Sequence, residues 1–232
     1  MSQSFFLVDS LAVSDLQVYL SRAGRVEDGS VRLIGGSGVL AVYTAILYPR
    51  GLLDQTPTVL GLRTFAIQPG IAFDAVVPMR SLLDRLARIT ETLGAAGAVP
   101  DAPSGPVEVR MPLEVSTVTW AGISPPRGGW RAVGETSADI LEPTAKVGIA
   151  EVAEAIPSGT GEQLVQRVRA EVWGRPIDGL EYVPAGAAFA AESLGFLAQG
   201  EPITIHETGP WTRLTTRRGH ILIRRQAWTL RA

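Results

Sequence analysis

Two histidines, His206 and His220, are the chain's whole supply of imidazole, and cysteine is absent. Disulfides, thiolate zinc sites and cysteine nucleophiles are excluded, and a metal site would have to recruit both histidines together with carboxylates. The serine candidate fares no better. In Gly35-Gly36-Ser37-Gly38-Val39, valine stands where a nucleophile elbow needs its last glycine, and no helix follows, so the run reads as a turn between strands. Pro157-Ser158-Gly159-Thr160-Gly161 precedes a helical stretch but lacks the P-loop lysine, which makes it a helix cap with Thr160 and Gln163 as a capping box. Glu151 and Glu154 lie three apart on a helix, on what should be its wet side, and read as surface acids. No catalytic residue is assigned, and neither a metal ligand nor a cofactor is expected.

A richer pattern lies in residues 202–228, PITIHETGPWTRLTTRRGHILIRRQAW, which read as three strands with turns at Gly209-Pro210 and Arg217 to Gly219. Placing Ile205 opposite Leu214, and Leu214 opposite Ile221, collects Ile203, Ile205, Leu214, Ile221 and Ile223 on one face, the core side. The other face then carries Thr204, His206, Thr208, Trp211, Arg213, Thr215, His220, Leu222 and Arg224 and is expected to turn outward. Arginine beside tryptophan suits phosphate, carboxylate or an acidic partner surface. The same face is equally what an antiparallel sheet shows to water, with Arg224, Arg225 and Arg231 blunting an edge. On it the two histidines stand two strands and two residues apart, roughly 12 Å by strand spacing and rise, too far to share one ion. Trp130, in the loop PPRGGWRAVG, has no apolar stripe to join and is the second candidate contact. The candidate binding residues are thus Trp211, Arg213, Arg224, His206, His220 and Trp130.

The elements that must position these residues follow from periodicity. Leu16, Tyr19, Leu20 and Ala23 predict a helix over 14–23, with a Ser14/Gln17 capping box and a Val13/Val18 staple. Strands are expected at 30–34, 39–48, 58–67 and 71–77, the second apolar on both faces and the fourth half-exposed at Asp74. Ser81 caps a second helix along Leu82, Leu86, Ile89 and Leu93, which Gly94 ends. On element order alone, over about 75 residues, this first half resembles the repeating unit of processivity clamps, and no site residue is carried over from that resemblance.

Residues 95–106 are small and rich in Gly, Ala and Pro and are expected to link an α+β subdomain of residues 1–94 to another of residues 107–232, which could also pack as one domain. The second subdomain should open with strand from Val107 to Trp120, loop through Ile123 to Gly134, and run through three helices between Ser137 and Ala198. The fold class is therefore α+β: an N-terminal helix, a four-stranded sheet and a helix, then a helical stretch closed by a C-terminal antiparallel three-stranded meander.

Composition bounds the function. The 232 residues are 46% hydrophobic and 19% charged, a globular balance, and no apolar run is long enough for a membrane span. Lys146 is the only lysine among 21 basic residues and asparagine is missing, a bias that a GC-rich genome produces without selection for arginine. Met1 to Val13 has no basic n-region, so no signal or transit peptide is expected and a cytoplasmic location is. Residues 202–232 hold six arginines against Glu207 alone, while the rest of the chain is net acidic. The reading that fits best is a non-enzymatic binding or assembly protein that uses the Arg/Trp sheet face, with a protein partner or a second copy as occupant and an anionic small molecule as another. The alternatives are a metal-independent enzyme with His206 or His220 as acid or base in a cleft between the halves, and nucleic-acid binding through the C-terminal arginines.

Overall fold

The computed structural model describes residues 3–51, 54, 56–95, 105–116, 118–122, 124–157 and 159–224. The expected linker at 95–106 lies almost wholly outside them, as do Arg225, Trp228 and Arg231. The fold is α+β, as the periodicities require. Its elements are β1 (Ser4–Leu7), α1 (Ser10–Val26), β2 (Ser30–Gly36), β3 (Val39–Leu47), β4 (Thr58–Ala66), β5 (Phe73–Pro78), α2 (Met79–Ala95), β6 (Val107–Arg110), β7 (Arg131–Ser137), α3 (Ala138–Ala155), α4 (Glu162–Gly174), β8 (Pro176–Ile177), β9 (Leu180–Pro184), α5 (Ala185–Ser193), β10 (Pro202–Thr208), β11 (Trp211–Thr215) and β12 (His220–Arg224). Eight strands hydrogen-bond in the order β5-β2-β3-β4-β12-β11-β10-β7. The chain divides into two compact units, Met1–Thr44 with Leu62–Gly122, and Ala45–Gly61 with Ile123–Ala232.

In the first unit α1 buries the predicted stripe of Leu16, Tyr19, Leu20 and Ala23, but it starts a turn before Ser14, so that Val13 is a buried helical residue and not half of a staple with Val18, which is exposed. Asp9 is its cap: the Ala12 N–H donates to Asp9 Oδ1 at 2.8 Å, so the Ser14/Gln17 box is not the start signal. Ser81 likewise falls inside α2, and Gly94 does not end that helix. Fully buried Tyr19 shares a hydrogen bond with Thr44 Oγ1 at 2.9 Å, and burial pushes its phenol pKa up. The Ser37-Gly38 turn joins β2 to β3 with both residues at positive φ, as a tight hairpin requires. Gly35 is obligatory for another reason, since a Cβ there would sit 2.4 Å from the Phe73 ring. Asp74 on β5 is half-exposed and holds Arg32 at 2.7 Å.

The second half of the chain departs more from the sequence reading. Only β6 forms in the segment expected to be strand from Val107 to Trp120, and Thr119–Gly122 is a 3-10 turn. The loop expected through Gly134 ends at Trp130, where β7 begins. Thr160 turns its hydroxyl to the Pro157 carbonyl instead of capping α4. Between α4 and α5 the chain inserts the β8–β9 hairpin, and α5 stops at Ser193. Trp173, 2% exposed, stacks on Phe189 at 4.4 Å and fills the space left by two glycines. A Cβ at Gly148 would lie 2.3 Å from the Trp173 ring, and one at Gly186 2.5 Å from Leu47.

Trp173 has no room to retreat, so Gly148→Ala should destabilise the fold by about 1–3 kcal/mol through overpacking. Urea denaturation followed by tryptophan fluorescence checks it, and an unchanged midpoint would contradict the wedge.

Candidate binding site

The last three strands take the expected register: Ile205 lies opposite Leu214 and Leu214 opposite Ile221. Ile203, Ile205, Leu214, Ile221 and Ile223 are all buried. Three cross-strand rows on the other face follow from the same pairing, Thr204–Thr215–His220, His206–Arg213–Leu222 and Thr208–Trp211–Arg224.

That face is not the open surface the alternation suggested. Trp211 is 3% exposed and Leu222 1%, while Arg213, His206, His220 and Arg224 are half-buried. Part of the cover is the loop before β7. Gly129, at φ 75°, turns the chain beside Thr208, and the Trp130 indole comes to rest 4.5 Å over the Arg213 guanidinium with its N–H on the Pro126 carbonyl. Trp130 therefore stands with the sheet-face cluster, near it as one of the two placements expected for this ring. Trp211, expected outside, is sunk beneath the face, because its row lies where the sheet is covered.

The β7–β10 pairing shifts register between Ile205 and His206, so that Val133 on β7 is an extra residue beside the site. His206 and His220 both lean on one side chain that sequence reasoning missed. The Thr215 hydroxyl lies 3.4 Å from His206 Nδ1 and 3.2 Å from His220 Nδ1, so the rings approach far more closely than their backbone spacing. A lone hydroxyl on a polar strand face carries no signal of such bridging. Among the described residues no group of three or more His, Asp or Glu side chains could hold a metal ion.

The electrostatics are one-sided. Burial, then the Arg213 charge, pulls the His206 pKa down, against a hydrogen bond with the Thr204 backbone. Burial, then the charges of Arg213 and His206, lowers that of His220 to about 4. Burial also lowers that of Arg213, whose Nε is buried with no hydrogen-bond partner among the described residues. A second region, a cavity of about 500 Å³, is lined by Arg50, Asp54, Glu162, Gln163, Gln166 and Arg167. Arg50 pairs with Glu162 at 3.7 Å, and Asp54 accepts from the Arg50 N–H and from Thr56.

Two family models match the sequence, a domain of unknown function, DUF8010, over residues 1–106 and another, DUF8185, over residues 125–228. No curated protein matches it. Solved structures do. The sliding clamp (DNA polymerase III subunit beta) of Bartonella birtlesii, bound to griselimycin, superposes with a TM-score of 0.52 over 98% of this chain at 13% identity. The fold is sliding-clamp-like. The clamp subunit of Borrelia burgdorferi gives 0.51 at 7% identity and that of Caulobacter crescentus 0.50 at 9%, each again over 98% of this chain. This chain spans about two thirds of their length, 66% in all three. The fold likeness covers both units, beyond the first half in which the element order resembles a clamp repeat. Among the described residues no helix is long and apolar enough to cross a membrane.

Because His220 titrates near 4 when folded and near 6.5 when unfolded, the unfolded chain takes up its proton first as pH falls. The neutral ring's contribution is present above pH 6.5 and is lost on the way down to about 4. Urea midpoints measured between those limits should fall more steeply for the wild type than for His220→Gln. Parallel curves would show that the ring is not held neutral.

Proposed function

We propose that this protein is a non-enzymatic assembly protein whose copies associate through β7 and α3, and which binds a further partner through the Arg213–Trp130 sheet face. The observation that carries the reading is the difference between the two ends of the sheet. At one end, the outer side of β5 is covered where the Val115 N–H donates to the Val76 carbonyl at 2.8 Å. At the other end stands β7, and among the described residues no backbone hydrogen bond covers its outer side. An open strand is a template for pairing with another chain.

The helix that follows β7 directly supports the same conclusion. Along α3, Ile140, Pro143, Val147 and Ala150 are exposed at helical spacing, with Val147 at 67%. Four apolar groups in one outward stripe suit contact better than solvation. The likeness to clamps that carry the name of polymerase subunits adds to this, since those proteins work as components of an assembly. His220, neutral at pH 7 and titrating near 4, is a weak base there and fits a binding role better than proton transfer. The acidic net charge of −2 weighs against general attraction to nucleic-acid phosphates.

Sedimentation velocity of the whole chain across a micromolar concentration series tests the association. Wild type should sediment as an oligomer, and Val147→Glu, which touches no core group, should weaken association by roughly tenfold or more, as a charge does when placed in an apolar contact. A wild type that stays monomeric, or an oligomer that Val147→Glu and Ile140→Glu leave unchanged, overturns the reading.

A further inference from the structure

We propose that Arg213, flanked by His206, His220 and Arg224, is the receptor for a phosphate group, carried as inorganic phosphate or on a small phosphorylated molecule. This rests on the binding role given above to that sheet face, not on self-association.

Three observations carry it. The first is charge. The rows His206–Arg213–Leu222, Thr204–Thr215–His220 and Thr208–Trp211–Arg224 contain two arginines, two imidazoles and no carboxylate. Arg224 is the diagonal neighbour of Arg213 on the same face, a spacing of about 7–8 Å at which like charges repel. Glu135, opposite Thr204 on β7, is the acid closest in register, and it is exposed and three strands away from His220. Glu207 falls on the opposite parity. A phosphate dianion balances both guanidinium charges at once, which a carboxylate does not.

The second is an unmet donor. Arg213 Nε is buried without a partner, and the guanidinium forms no hydrogen bond or ion pair among the described residues. A buried charged donor left unpaired is costly, and the planar fork of arginine matches an oxyanion through two parallel N–H groups. The third is shape. Trp130 stands against one side of the guanidinium, its ring centroid 4.5 Å from the guanidinium carbon. Thr215, two residues from Arg213 on the same strand face, holds both imidazoles through their Nδ1 atoms. One hydroxyl can donate to only one of the two rings, so the other ring donates to it, and a proton arriving with the anion would turn both rings into donors.

The test uses the chain's two histidine Cε1–H proton signals. Titrating the full-length protein at pH 7 with inorganic phosphate should shift both signals saturably, while sodium chloride at matched ionic strength should not. Arg213→Gln should weaken this response by roughly tenfold or more, Arg213→Lys should keep a weaker one, and phosphate should raise the pKa of at least one imidazole. Val147→Glu should respond like wild type, which separates a failure here from a failure of self-association. Shifts that are linear and equal in phosphate and chloride, or saturable shifts that survive Arg213→Gln, would overturn the proposal. So would acetate binding as tightly as phosphate, or a phosphoserine peptide binding at least tenfold more tightly than phosphate, since the ligand would then be a carboxylate or a protein.

Discussion

Cross-strand pairing locks Ile205, Leu214 and Ile221 into a single row, and the character of the second unit's sheet follows from that row. Side chains alternate with a period of two, so burying the isoleucines leaves no choice about which residues share the reverse face. His206 must then stand opposite Arg213, and Thr215 opposite His220. The chemistry of the site is a consequence of core packing, and it cannot be altered by a register slip without exposing five aliphatic side chains.

What the register does not decide is how dry that reverse face becomes. The covering loop supplies the answer, because Gly129 lets the backbone turn sharply enough for the Trp130 ring to reach Arg213. Placing a guanidinium under an indole removes water from it without supplying an acceptor for Nε. The same desolvation, reinforced by the Arg213 charge, keeps both neighbouring imidazoles neutral. Cation, rings and hydroxyl therefore act on one another as a unit.

Much of this was legible in the residues. The alternation of isoleucine with polar groups gave the register, and the helical stripes of α1 and α2 gave their buried faces, because both periodicities reflect local geometry. Helix starts were misplaced where a better cap competed, as Asp9 did with Ser14. β7 was missed because a strand over Arg131–Ser137 is decided by pairing with β10, and RAVGETS shows no strong alternation of its own. The burial of Trp211 and the placement of Trp130 over Arg213 are both set by contacts distant along the chain, which composition and spacing do not encode.

The boundaries of the two compact units do not follow the order of the chain. The two family matches divide it near residues 106–125, yet residues 45–61, from the first of them, belong with the second unit. Leu47 packs at Gly186, and β4 stands next to β12. Cutting between the matches would strip the second unit of a hairpin that it needs and leave that hairpin's hydrogen-bonding groups unmet in the first. The second unit is thus completed by a segment that lies inside the first family match, so the seam between the matches is not the seam between the packed bodies.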